Sequence, residues 1–502
     1  MKRGCGILLP VTSLPSPCGI GTMGAAAYDF IDCLYEAKQS YWQILPIGPT
    51  SYGDSPYQSF STFAGNPYWI DLEMLKKDGL LKESDYAPIV WAENEEAVDY
   101  GKLYEYRFKV LKTAFGNFMK AGGRQQLDAF IAGEDWLLDY ALFMALKGAA
   151  GGKSWQEFDR EVKFREKEAI SEAKEKYAEE IDFWCFVQLF FFKQWEALKA
   201  YANERHIKLI GDLPIYVALD SADVWTNPEQ FELDEDLAPV HVAGCPPDAF
   251  SATGQLWGNP VYRWGYMKKD GYRWWIKRLS HALKVCDIVR FDHFRGFDSY
   301  YSIPADEDTA MNGTWEKGPG MDLFNALSEV SGDAAIIAED LGYLTPSVKK
   351  LLKDSGFPGM KVMEFGFDDR VNSDYVPHNF IPNCVAYTGT HDNTTLLGWL
   401  AEASEESKQF VLDYYHMKDF EDFNDTIIAH ALESVADTVI VPMQDYLKLD
   451  GRARINFPST TGNNWQWRMK QGDFSQELIK KLAKWAGLYE RCPEKISGEA
   501  EK

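Results

Sequence analysis

This chain is short of basic residues, of closely spaced cysteines and of long apolar runs, and each shortage removes a class of function. Lys and Arg number 52 against 76 Asp and Glu, a formal charge of -24. So acidic a balance offers no basic patch to nucleic acid or to an anionic membrane surface. No stretch stays apolar for the length a bilayer requires. Lys2 and Arg3 precede a short apolar run, Ile7 to Leu9, which Pro10, Pro15 and Pro17 cut off before it could form a signal peptide. The 8 cysteines lie scattered, without metal or redox spacing, and the 8 histidines include no His-Glu-x-x-His pair. Free thiols, a reducing cytoplasm and no metal are therefore expected. Phosphate-cradling glycine loops are also missing. Gly19, Gly21 and Gly24 resemble half a dinucleotide fingerprint, but they follow a proline-rich turn instead of a strand, so no cofactor is expected.

Core-forming residues are plentiful, at 46% hydrophobic over 502 residues. Apolar, β-branched runs of strand length recur at Gly6 to Leu9, Tyr41 to Ile47, Ile207 to Ile215, Asp287 to Phe291, Ala334 to Ala338, Lys361 to Phe365, Val385 to Tyr387 and Thr438 to Val441. They read as continuous apolar runs more than as strict alternation, as strands buried on both faces do. Helical patterns lie between most of them, among them Tyr28 to Lys38, Trp274 to Lys284, Leu323 to Ser331 and Ser347 to Leu352. Eight strands alternating with helices predict an α/β chain folded as one (β/α)8 TIM barrel over 1–502.

Two connections are too long for simple loops. Residues 50–205 hold several amphipathic helical patterns and are expected to form a mostly helical inserted subdomain after strand 2. Residues 216–273, after strand 3, show little regular pattern and are rich in Pro, Gly, Trp and Asp. A loop of that length inside a compact unit is usually functional, and this one is expected to overhang the barrel mouth. About sixty residues follow the last strand, too few for an appended β-sandwich, so no C-terminal β-domain is expected.

Asp292, Glu339 and Asp392 each stand at the end of one of these strand-like runs. A lone Asp after an apolar run is commonly a turn or cap residue, and Asp287 and Asp340 are read that way. Three strand-end carboxylates with Arg or His beside them point instead to sugar chemistry. Retaining transfer of a glycosyl group needs two carboxyl groups about 5 Å apart. Asp292 is the expected nucleophile: Arg290, two residues back, falls on the same side of the strand and favours the ionised carboxylate. Glu339 follows Ile336, Ile337 and Ala338, an apolar flank that would hold a proton for the leaving group. Asp392 is expected to bind sugar hydroxyls and favour the distorted ring of the transition state.

The motifs around these residues resemble those of the 4-α-glucanotransferases of glycoside hydrolase family 77, a branch of the α-amylase clan. The similarity runs from Gly4 to about Trp467. It is carried by Thr12 to Pro15 after the first strand, by Trp42, Gln43, Leu45 and Pro46 in the second, and by Asp54 to Phe60 with Gly65, Asn66 and Pro67. Gly211, Asp212, Pro214 and Ile215 match the third strand's end. A loop distinctive of that family matches at Pro247, Asp248, Phe250, Ser251, Gly254, Gln255, Trp257, Gly258, Asn259 and Pro260.

The resemblance implies Asp292 as nucleophile, Glu339 as acid/base and Asp392 as transition-state stabiliser. It places Arg290, Asp212 and His391 around the transferred sugar, with Tyr57 stacking on it or its neighbour. Trp257 would cover the acceptor side. Gln255, Asp248, Ser55 and Asn456 are further expected contacts, and Arg454 also falls on a matched position. The implied reaction moves an α-1,4-glucan segment from a maltooligosaccharide, amylose or glycogen chain to the 4-hydroxyl of glucose or another glucan, without a cofactor. A hydrolase of the same clan is the alternative, since only the acceptor differs.

Overall fold

The computed structural model describes residues 2–51, 53–247, 251–332, 334–342, 344–367 and 373–493. Twelve strands occur among them: β1 (Gly4–Leu8), β2 (Tyr41–Gln43), β3 (Lys208–Leu213), β4 (His241–Cys245), β5 (Gln255–Pro260), β6 (Ile288–Phe291), β7 (Ser299–Pro304), β8 (Thr314–Lys317), β9 (Ile336–Ala338), β10 (Gly359–Val362), β11 (Cys384–Tyr387) and β12 (Thr438–Pro442). Eight of them close into a parallel barrel in the order β1-β12-β11-β10-β9-β6-β3-β2. Every residue of β1, β6, β11 and β12 is buried, because helices sheathe the outside and side chains fill the inside.

All eight expected barrel strands are present, with shifted bounds, three of which have a physical reason. β2 stops at Gln43 instead of Ile47, since Pro46 has no N–H to give a ladder. β3 ends at Leu213, immediately before Pro214. The sixth barrel strand is Gly359–Val362, not Lys361 to Phe365; Met363–Gly366 turns over as a 3-10 helix. Apolar residues continue through that turn, which hides the strand's end from a hydrophobicity reading.

Between β2 and β3 run the helices Tyr100–Lys120, Arg124–Gly133, Leu137–Ala149, Lys167–Lys176 and Ala178–Glu204. The last buries Phe183, Trp184, Phe186, Phe190, Phe191, Phe192 and Trp195. Two buried amides fix this helix to the segment that follows β2. Gln188 accepts from the Gly65 N–H at 2.7 Å and donates to the Gly65 carbonyl at 3.0 Å. Gln194 makes the same pair of bonds with Asp71. A side chain on Gly65 would run into the Phe191 ring, so helix and segment approach as closely as glycine permits.

The third connection is more regular than expected. It contributes β4 and β5, which join β7 and β8 in a second, antiparallel sheet of order β5-β4-β7-β8. No alternation announces it. Gly244, Gly258 and Pro260 interrupt two strands, the β4–β5 register shifts between Val242 and Gly244, and all of β8 is exposed. None of the helices among the described residues is long and apolar enough to cross a membrane.

Candidate active site

Strand register builds the centre of the site. Asp212 on β3 stands opposite Arg290 on β6, and Phe291 on β6 stands opposite Ala338 on β9. Asp292 and Glu339 are each one residue beyond that last pair, so they leave adjacent strand ends at the same height. Backbone bonds lock both: the Asp292 N–H donates to the Leu213 carbonyl at 3.1 Å and the Glu339 N–H to the Phe291 carbonyl at 2.9 Å.

Glu339 is held by the turn that follows Asp292. Its Oε2 accepts from the His293 N–H at 2.7 Å, and its Oε1 accepts from the Leu341 N–H at 2.8 Å. His293 reaches this position with φ +50°, a left-handed conformation a residue with a side chain rarely adopts. Burial, with Arg295 nearby, pushes the His293 imidazole down to about 3, so the ring is neutral.

Arg290 divides its charge between two carboxylates. Its Nη1 lies 2.8 and 2.6 Å from the two oxygens of Asp212, and 3.2 Å from Asp292 Oδ1. The Asp212 side chain is fully buried and that of Asp292 is 27% exposed. Arg290 favours the ionised Asp292, as the sequence implies, but it is not the largest influence there. Burial is the larger influence and pushes the Asp292 carboxyl up to about 6; Arg290 opposes it, and the Asp212 charge reinforces it. Glu339 rises further, to about 8, through burial; Arg290 again opposes and the Asp292 charge adds. At neutral pH the pair therefore carries one proton, held mainly by Glu339.

Tyr57 connects the two sides of the barrel mouth. Its hydroxyl donates to Asp212 Oδ2 at 2.7 Å and meets His391 Nε2 at 2.8 Å. Its ring lies 5.2 Å from the His391 imidazole at 18°. Ser55 shapes the turn that presents it, accepting from the Tyr57 N–H at 3.3 Å.

Asp392, after β11, is the most open of the three carboxylates, with its side chain 47% exposed. The surrounding walls disfavour its charge. The adjacent His391, 3.3 Å away, and the Asn456 amide, donating at 2.6 Å, outweigh them and hold the carboxyl well below the usual range. Arg454 donates to the Asp392 carbonyl at 2.5 Å and to the Asn456 carbonyl at 2.7 Å. Behind this turn lie residues the sequence reading missed. Asn393 Oδ1 accepts from the Thr390 N–H and hydroxyl, at 3.0 and 2.9 Å. Burial pushes Glu364, beside it, up to about 8. No signal marked Glu364, because the expected strand Lys361 to Phe365 ran through it; the structure ends that strand at Val362.

Trp257 and Gln255 sit on β5, with the indole N–H donating to the Gln255 amide oxygen at 3.1 Å. The Trp257 ring stands edge-on to His293 at 4.9 Å, which brings the small sheet against the turn holding Glu339. Gln58, next to Tyr57, donates to Asn259 on the same strand at 3.1 Å. Asp248 and Phe250 lie outside the described residues. Asp340 and Asp287 serve the backbone instead, accepting from the Met360 and Leu209 N–H groups. Among the described residues no group of three or more His, Cys, Asp or Glu side chains could hold a metal ion.

So placed, the residues form a barrel-mouth cleft with one ionised carboxylate, one proton-bearing carboxyl beside it, and a third carboxylate across the opening. Comparison with known proteins bears on its chemistry. A family model, Glyco_hydro_77, described as 4-alpha-glucanotransferase, matches residues 9–474. The chain is 49% identical over 485 residues to a 4-alpha-glucanotransferase of Clostridium butyricum, covering 96% of this chain and 99% of that one. It is 46% identical over 503 residues to a 4-alpha-glucanotransferase of Thermus thermophilus, covering 98% and 99%. The amylomaltase of Streptococcus agalactiae, solved in complex with acarbose, superposes with a TM-score of 0.96 at 44% identity, covering 98% of this chain and 100% of that one.

Proposed function

This chain belongs to the 4-alpha-glucanotransferase family and is an enzyme of that activity, and we propose that it works by double displacement through a covalent glucosyl-Asp292. Asp292 attacks the anomeric carbon of the donor glucan while Glu339 protonates the departing glycosidic oxygen. The shortened glucan leaves, and the 4-hydroxyl of glucose or of another α-1,4-glucan takes its place. Glu339, now ionised, accepts that hydroxyl's proton as its oxygen attacks and Asp292 departs. Two inversions leave the α configuration unchanged. One α-1,4 bond breaks and an equivalent one forms, so the cycle consumes no cofactor.

The observation that carries this reading is the pairing of Asp292 and Glu339 on neighbouring strand ends, with burial lifting Glu339 further than Asp292, beside which Arg290 favours the charged form. Arg290, Asp212, Tyr57 and His391 would bind the transferred sugar. Asp392, kept anionic, would bind its hydroxyls and favour the flattened ring. Trp257 and Gln255 would cover the acceptor and keep water from the intermediate. Donors would be maltooligosaccharides, amylose or glycogen. The segments 50–205 and 216–273 are assigned as insertions on a single catalytic barrel.

Incubation with maltotriose separates transfer from hydrolysis. Transfer yields a ladder of longer maltooligosaccharides together with glucose. Maltose and glucose alone, with nothing longer than the starting sugar, would reverse the reading in favour of a hydrolase.

A further inference from the structure

Arg278 stands on the Arg273–Val285 helix and is 2% exposed. Its guanidinium lies against the Trp275 ring of the same helix, 4.8 Å from the centroid. From there it reaches three segments far apart in sequence. Nε donates to the Thr62 hydroxyl at 2.7 Å. Nη2 donates to the Pro214 carbonyl at 2.5 Å, and Nη1 to the Ile215 carbonyl at 2.9 Å. Nη1 also donates to the Tyr262 hydroxyl at 3.2 Å, and that hydroxyl donates in turn to the Ile215 carbonyl at 2.6 Å.

Each segment carries a residue of the candidate site. Thr62 is five residues beyond Tyr57, Pro214 and Ile215 are two and three beyond Asp212, and Tyr262 is five beyond Trp257. The contacts are braced near the site as well. The Thr62 N–H donates to Asp223 at 2.8 Å, so both polar groups of Thr62 are held. The Tyr262 ring stacks on Tyr216 at 5.8 Å and 19°, and Tyr216 lies 6.2 Å from Trp257. Asn259, between Trp257 and Tyr262, accepts from Gln58 at 3.1 Å and donates to the Val217 carbonyl at 2.9 Å.

Among the described residues, every hydrogen bond of Arg278 goes to an uncharged acceptor. Burying a cation on those terms is costly, and an apolar chain of similar size could fill the space. What the planar guanidinium adds is a set of fixed donor directions, and these hold three segments at set distances from one another. We propose that Arg278 is a positioning residue for transfer, setting the spacing between the two segments that hold the donor sugar and the strand that covers the acceptor. The proposal rests on the donor and acceptor assignments made above.

A glucosyl fluoride donor separates the two sides. Fluoride release reads formation of the intermediate. With glucose added, maltose formed per fluoride released reads the competition between acceptor and water. Thr62→Val keeps the shape and deletes the donor-side hydroxyl. Its kcat/KM for fluoride release should fall roughly five-fold, the scale of a small misplacement at the reacting centre, with the transfer-to-hydrolysis ratio unchanged. Tyr262→Phe keeps the stacked ring and deletes the acceptor-side hydroxyl. Its transfer-to-hydrolysis ratio should fall roughly five-fold, with fluoride release within about two-fold of wild type. Arg278→Lys keeps the charge without the fork and should show both effects. If that variant fails to fold, the two hydroxyl deletions still decide. Both deletions moving both quantities alike, as general loosening would, or either leaving its own quantity unchanged, overturns the positioning role. Wild type forming no maltose from glucosyl fluoride and glucose would instead sink the transferase reading, a result distinct from these.

Discussion

Asp292 and Glu339 are partly buried acids, and burial lifts both carboxyls, Glu339 further than Asp292. The proposed reaction needs Asp292 ionised and Glu339 protonated. Raising the pH through about 6 removes the Asp292 proton and switches the enzyme on; raising it through about 8 removes the Glu339 proton and switches it off. A bell-shaped profile of kcat/KM for maltotriose, with limbs near those values, is the expected result. Glu339→Gln should lower the rate on maltotriose roughly 10³-fold. With a donor whose leaving group needs no proton, such as a glucosyl fluoride, formation of the intermediate should persist in that variant and lose its alkaline limb. An alkaline limb that survives the substitution would remove Glu339 from the acid role. Tyr57 offers a finer test. Tyr57→Phe keeps the ring against His391 and deletes the hydroxyl that joins Asp212 to His391, so kcat/KM should fall about 10-fold, the cost of a hydrogen bond to a charged group. An unchanged value would make that bridge incidental.

At the level of elements, what could be read in the sequence follows from how each element is buried. Barrel strands, apolar on both faces, stand out as continuous runs, and a carboxylate closing such a run is visible because it breaks the pattern. The small sheet left no such trace, since its strands are interrupted by glycine and proline and β8 is exposed. Contacts made by folding were equally hidden: Tyr57 meets Asp212 across 155 positions of sequence and His391 across 334. Family resemblance supplied Tyr57 as a candidate, but not the hydrogen bonds that hold it. The small sheet carries its own prediction. Trp257 on β5 packs against His293, whose N–H holds Glu339, and on the proposed reading the ring would close off the acceptor side. Trp257→Ala should therefore shift the partition of the intermediate toward water. Free glucose and total reducing ends would rise relative to longer products in the maltotriose assay. A proportional fall in all products would mean the ring assists chemistry without selecting the acceptor.

Across the whole molecule, the two ends of the barrel divide the work. Chemistry gathers where strands end, while the opposite end must hold β1 against β12 so that the ring stays closed. Arg491 performs that closure. Fully buried, it donates to the carbonyls of Leu432, Gly4, Asp437, Ser434 and Ala436, so that the segment beyond the Gln476–Leu488 helix, the start of β1 and the approach to β12 share one guanidinium. Burial pushes its pKa down to about 10, which still leaves it cationic at neutral pH. Arg491→Met fills much of the space but removes five hydrogen bonds; Arg3 still reaches the Leu432, Ser434 and Ala436 carbonyls, and the Gly4 N–H the Asp437 carbonyl, so the cost is about 2 kcal/mol. The loss falls on stability alone, because Gly4 begins β1 at the end remote from Asp292. Arg491→Met should therefore unfold at a lower urea concentration and lose activity sooner on heating, while its kcat on maltotriose at moderate temperature matches wild type. Equal resistance to urea and heat would show that the barrel closes without this clamp. A lowered kcat in the folded variant would show that strain at the closing end reaches the carboxylates.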